Sequence, residues 1–126
     1  MLGYALHAQF QRSQAAGQQR AMLNALLDEL LANKSLLENP NVPAPRLEAL
    51  SWRTLSQAGM LQRVQAEIRE TLRQFYAEVL AYESSADAFR QHPTPPQEQC
   101  LRHLRGRLCG KVDEAIQAAR QLLGEK

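Results

Sequence analysis

Two cysteines, three histidines and a run of arginines are the residues of this chain with chemistry to offer. Cys100 and Cys109 stand nine residues apart in a segment with helical spacing. That separation is about two and a half turns, so the thiols point to opposite sides of the rod. A bridge between them needs Cα atoms within about 7 Å, which excludes an internal disulfide if the helix forms. A cystine between two copies stays open. Cys100 and His103 share helical spacing, but two ligands fall short of the four a structural zinc takes. The expectation is helix-surface cysteines, with no metal and no cofactor.

The basic run Arg102, Arg105, Arg107 and Lys111, with His103 among them, has no acid between residues 99 and 112. It is a candidate contact for phosphate or an acidic partner. No aromatic stacking platform accompanies it, so a solvated face is favoured and nucleic acid is kept as an alternative partner. The carboxylates form no recognisable pair. Glu-x-x-His, H-E-x-x-H, the P-loop and G-x-G-x-x-G are all absent. No catalytic residue is assigned; an enzyme with an unrecognised site is the third reading. Asn33-Lys34-Ser35 fits a glycosylation acceptor but falls inside a helical pattern and is taken as coincidence.

What positions these residues is set by proline. All six prolines lie in two clusters, Pro40/Pro43/Pro45 and Pro93/Pro95/Pro96. Proline has no backbone donor and clashes with the preceding turn, so helix interiors expel it. Between the clusters lie three proline-free stretches, 1–39, 46–92 and 97–126. Ala and Leu supply 38 residues against 6 from Val and Ile, a ratio that favours helix over sheet.

The apolar spacing predicts four helices. The first runs over Leu2–Glu38, stopped by Asn39-Pro40. The second is short, Pro45–Ala58, with Pro45 at its first position and Gly59 as its cap. The third, Met60–Ala88, repeats Leu61, Val64, Ile68, Leu72, Phe75, Val79, Tyr82 and Ala86 at a mean of about 3.6 residues, with fraying expected from Ser84 and Ser85. The fourth, Pro96–Leu123, carries Leu101, Leu104, Leu108, Val112 and Ile116, and is weakened by Gly106 and Gly110. The prediction is an all-α fold in one domain over 1–126, an up-down helical bundle of three long helices and one short.

The first helix is too long for its partners. Its opening stripe, Leu2, Leu6, Phe10, Ser13 and Gly17, is expected to protrude over about residues 1–17 and to serve self-association. The Gln-rich residues around the stripe carry no acid before Asp28. Trp52, Tyr76 and Tyr82 are candidate partner anchors, with a core role favoured for the tryptophan. A net charge of +2 is too small to argue for a nucleic-acid or membrane-surface partner. No stretch has the apolar length of a membrane span, and the N-terminus lacks the pattern of a secretory signal.

Three pieces, Leu26-x-x-Glu29-Leu30-x-x-Asn33-x-x-Leu36-Leu37, Trp52-x-x-Leu55-x-x-x-Gly59-x-Leu61, and Leu72 with Tyr76, resemble a pattern in uncharacterised prokaryotic membrane-anchored proteins with a small helical domain. The resemblance spans residues 26–76 and transfers no functional residue. It implies that this chain is the soluble part of an anchored protein, near a membrane but without a spanning helix, of which only Leu2–Phe10 would be a remnant. The leading functional expectation is a non-catalytic helical interaction or assembly module, partnered by itself or by another helical protein.

Overall fold

A computed structural model describes residues 2–124, and the side chains of residues 17–124. Its elements are α1 (Leu2–Glu38), α2 (Leu50–Gln57), a 3-10 turn at Met60–Arg63, α3 (Ala66–Gln91) and α4 (Pro95–Leu122). All regular structure among the described residues is helical, and the helices end at the proline clusters. Past α1 the chain turns on Asn39, whose N–H donates to the Leu36 carbonyl. At the second corner Thr94 caps α4 by accepting from the Gln97 N–H at 3.4 Å, and Pro95 and Pro96 fill positions where no donor is needed.

Direction follows from cross-contacts. Lys34 pairs with Asp113, while Arg105 and Cys109 both meet the Leu37 carbonyl, so α1 and α4 run antiparallel. Phe89 lies beside Leu101, Glu78 meets Arg107 and Lys111, and Thr71 lies across a groove from Gln117, so α3 and α4 are likewise antiparallel. The two long helices α1 and α3 therefore run the same way, and residues 39–65 must carry the chain back along the bundle. They form its fourth edge. The order is up, down, up, down, with Leu26, Leu30, Leu72, Phe75, Val79, Leu108, Val112 and Ile116 buried inside.

Three expectations about boundaries are corrected. The short helix starts at Leu50, not at Pro45; residues 42–49 run without helix, because their peptide groups are held by side chains of the three long helices. Residues 60–63 form a separate 3-10 turn, Val64 is extended, and α3 begins only at Ala66. At the other end α3 passes through Ser84 and Ser85 to Gln91. Ala86 beyond them is buried, and Asp87 and Arg90 pair at 2.8 Å. Gly106 and Gly110 interrupt nothing: α4 is continuous across both.

The contact register sets the end of α4 level with the Asn24–Ala25 turn of α1. Leu23 is the first buried residue among those described on α1, whereas Gly17, Gln18, Arg20 and Ala21 are exposed. The stretch of α1 from Leu2 to Met22 is about 30 Å of helix, more than half the element. The side chains of Leu2, Leu6, Phe10 and Ser13 lie outside the described residues.

Candidate functional site

The most organised polar region is a clamp on residues 36–52. A non-helical segment inside a helical bundle has no backbone neighbour to pair with, yet its buried peptide groups must find partners. Here side chains supply them. The Asn33 amide donates to the Glu48 carbonyl at 2.9 Å and accepts from the Glu48 N–H at 2.9 Å, copying the two-way pairing of a strand. Glu83 accepts from the Leu47 N–H at 2.7 Å. Tyr82 donates to the Pro45 carbonyl at 3.1 Å, and Arg90 donates to the Ala44 and Pro45 carbonyls.

Glu29 finishes the clamp where α2 begins. Ala49 offers α2 no side-chain cap. Glu29 on α1 takes that place, accepting from the Ser51 N–H at 2.9 Å and the Trp52 N–H at 3.4 Å. A carboxylate at a helix N-terminus both fills orphan donors and meets the positive end of the helix dipole. Its Oε2 also accepts from the Tyr76 hydroxyl at 2.6 Å. Burial first, then the bond to Glu29 and its negative charge, push the Tyr76 hydroxyl far above its ordinary titration range. Burial also raises Tyr82. Both phenols therefore stay protonated and donate.

Arg105 closes the other end. Its guanidinium donates to the carbonyls of Leu36, Leu37, Asn39, Val42 and Pro43, the closest two at 2.7 Å. These are the last carbonyls of α1 and the turn after it, so a cation sits at the negative end of the α1 dipole. Its donor edges are occupied by backbone oxygen.

The remaining candidates from the sequence are placed as follows. Arg102 pairs with Glu98 one turn earlier at 2.7 Å, and both are exposed. Arg107 and Lys111 converge on Glu78 Oε1 at 2.6 and 3.1 Å. The basic run is thus divided among three separate intramolecular tasks. Tyr76 and Tyr82 are buried in the core and present no face to a partner. Trp52 is half-buried, packs against the core from outside and stacks on Tyr76, ring centroids 5.0 Å apart and planes within 4°. Gly17 is exposed on α1. Cys100 and Cys109 are free and exposed, with Cys109 making a weak 3.8 Å contact to the Leu37 carbonyl. Asn33 is fully buried, so its side-chain nitrogen is not accessible to a glycosyltransferase in the folded chain.

Among the described residues no three His, Cys, Asp or Glu side chains gather as a metal site, and no described helix is long and apolar enough to cross a membrane. Between α3 and α4 a shallow groove of about 460 Å³ is lined by Glu67, Asp113, Glu114 and amide side chains.

The clamp residues Glu83 and Arg90 were not singled out from the sequence, and Glu29 and Asn33 entered there only within the resemblance pattern and the glycosylation triplet, without a buried role. A signal existed for two of them. Glu29 and Asn33 fall in the apolar spacing of Leu23, Leu26, Leu30 and Leu37, and a polar residue in a core register needs a buried partner. Fold and clamp together define an all-α up-and-down bundle with one partly unwound edge. Compared with protein-family models, with curated proteins and with solved structures, the chain matches none.

Proposed function

We propose that the chain is a non-catalytic helical assembly module whose first partner is a second copy of itself, joined through the N-terminal stretch of α1 in coiled-coil fashion. The observation that carries the reading is the length of α1. Among the described side chains the bundle buries this helix from Leu23 onward, and in the sequence Leu2, Leu6 and Phe10 stand at helical spacing before it. Apolar side chains at that spacing gain by meeting another helix.

The chemistry inside the bundle supports the same reading. Its buried carboxylate, amide and phenols bind backbone or one another, which leaves them holding a fold. The alternative of a nucleic-acid contact through Arg102, Arg105, Arg107 and Lys111 draws less support, because Arg105 spends its donors on carbonyls and the other three lie beside carboxylates. The resemblance to anchored prokaryotic proteins extends the proposal to a position beside a membrane, with the bundle as the soluble part.

Sedimentation velocity tests the proposal. The 14.2 kDa chain should sediment as a dimer at micromolar concentration, and Leu6→Asp with Phe10→Asp should return it to monomer. A wild-type chain that remains monomeric at high-micromolar concentration overturns it.

A further inference from the structure

We infer that the trough between α1 and α3 is a peptide-binding site held shut by the chain's own residues 44–48, and that a partner protein enters it by presenting a non-helical Pro-x-Leu segment in their place. The site uses none of the N-terminal stretch of α1 and so stands apart from self-association. Four helix side chains read residues 44–48. Arg90 donates to the Ala44 and Pro45 carbonyls at 3.0 and 3.4 Å, and Tyr82 donates to the Pro45 carbonyl. Glu83 accepts from the Leu47 N–H, and Asn33 bonds both ways with the Glu48 peptide groups. Every one of these bonds falls on the main chain, which a second peptide also carries. Main-chain bonds give a bound segment its affinity, and pockets for alternate side chains give specificity. Pro45 and Leu47 are buried, whereas Arg46 and Glu48 are exposed. Proline in the first pocket brings no N–H that would need a partner there.

The occupant is held lightly and the walls are held firmly. Among residues 39–65 only Pro45, Leu47 and Leu55 are buried, against seven residues of α4. Gly59, at a φ of 70°, makes a left-handed joint, and the 3-10 turn after it buries nothing. Segments with few buried apolar contacts open at a lower free energy than global unfolding requires. The walls stand without them: α4 packs against both α1 and α3, and the Lys34–Asp113 and Glu78–Arg107 pairs cross those two seams. With 44–48 lifted out, the Asn33 amide loses both its bonds, and an incoming peptide unit restores them. Because residues 44–48 are tethered at both ends, they compete at high effective concentration and keep the site closed to weak ligands.

A fluorescein-labelled peptide of residues 42–52 serves as the probe, with anisotropy as the readout. Leu47→Ala in the full chain weakens the tethered segment without touching a wall of the trough. That chain should bind the peptide roughly tenfold tighter or more than the unaltered chain does. The same peptide N-methylated at the nitrogen of Glu48 lacks the donor that Asn33 accepts, and its binding should fall about tenfold. Equal binding to both chains, no binding to either, or indifference to the N-methyl group would overturn the inference. A Leu47→Ala chain that ignores the peptide but pairs with the unaltered chain would make a second copy the occupant and overturn it as well. If Leu47→Ala costs the chain its helicity, Pro45→Ala takes its place. Hydrogen exchange in the unaltered chain gives a second reading. The Leu47 and Glu48 amides should exchange faster than those of Leu72 and Val79; equal rates would mean that the segment leaves only on global unfolding, and the site would never open.

Discussion

Replacing Asn33 by alanine removes one side chain and strands two backbone groups. The Asn33 amide is fully buried, and both its bonds run to the same peptide unit, the Glu48 N–H and C=O at 2.9 Å each. Two net hydrogen bonds at about 1 kcal/mol each set the floor of the loss. Leaving the Glu48 groups without partners adds about 1–3 kcal/mol if the clamp excludes water. The expected cost is therefore about 2–5 kcal/mol, out of the roughly 5–15 kcal/mol that keeps a domain folded. With a urea slope of about 2 kcal/mol/M, the midpoint should fall by about 1–2.5 M at unchanged slope. Equilibrium urea unfolding followed by far-ultraviolet circular dichroism measures this. Asn24→Ala, an exposed site on the same helix, is the control and should stay within about 0.5 kcal/mol. Asn33→Asp should cost at least as much as alanine at neutral pH, because it keeps the acceptor but points a charge at the Glu48 carbonyl. A loss under about 0.5 kcal/mol for Asn33→Ala would refute the clamp as the reason residues 42–49 stay out of helix.

Alkaline pH should unfold the chain through its buried phenols. Tyr76 and Tyr82 titrate higher in the folded than in the unfolded state, so their contribution is whole below about pH 10 and is lost as pH rises beyond it. Tyr76, whose shift is large, lowers stability by up to about 1.4 kcal/mol per pH unit there, and Tyr76→Phe should flatten the slope in urea titrations at pH 10–11. The α4 glycines offer a gain. A Cβ at Gly106 or Gly110 meets nothing within 4 Å, so Gly106→Ala and Gly110→Ala should each stabilise by about 0.5–1 kcal/mol, seen as a thermal midpoint several degrees higher for the pair. An unchanged midpoint would mean that α4 owes nothing to helix propensity.

Most of the architecture was legible because proline punctuates it. Asn39-Pro40 and Pro95-Pro96 mark real ends, and the period from Ile68 to Ala86 lies on the buried side of α3. The stretch 42–49 was not legible, and the reason is physical. Pro45 suits a first helical turn as well as an extended chain, and Leu47, Leu50 and Leu55 mimic helical spacing. Yet Leu47 and Leu55 are buried while Leu50 is largely exposed, so the three share no single face. What decides the conformation there is distant in sequence: Asn33, Glu83, Arg90 and Arg105 must already be in place before an unwound chain becomes the better choice. Arg105 shows the same limit from the other side. Its neighbours in sequence read as a basic surface, whereas its partners lie 62–69 residues earlier.

The position of α4 between α1 and α3 has a consequence for biosynthesis. Both earlier long helices find their main antiparallel neighbour in residues 95–122, which leave the ribosome after both of them. Until it emerges, Leu26 and Leu30 on one helix and Leu72 and Phe75 on another have no complete shelter, and the nascent chain carries them bare. Closure then joins Lys34 to Asp113 across 79 residues of sequence, a long-range contact that has to wait for the last helix described.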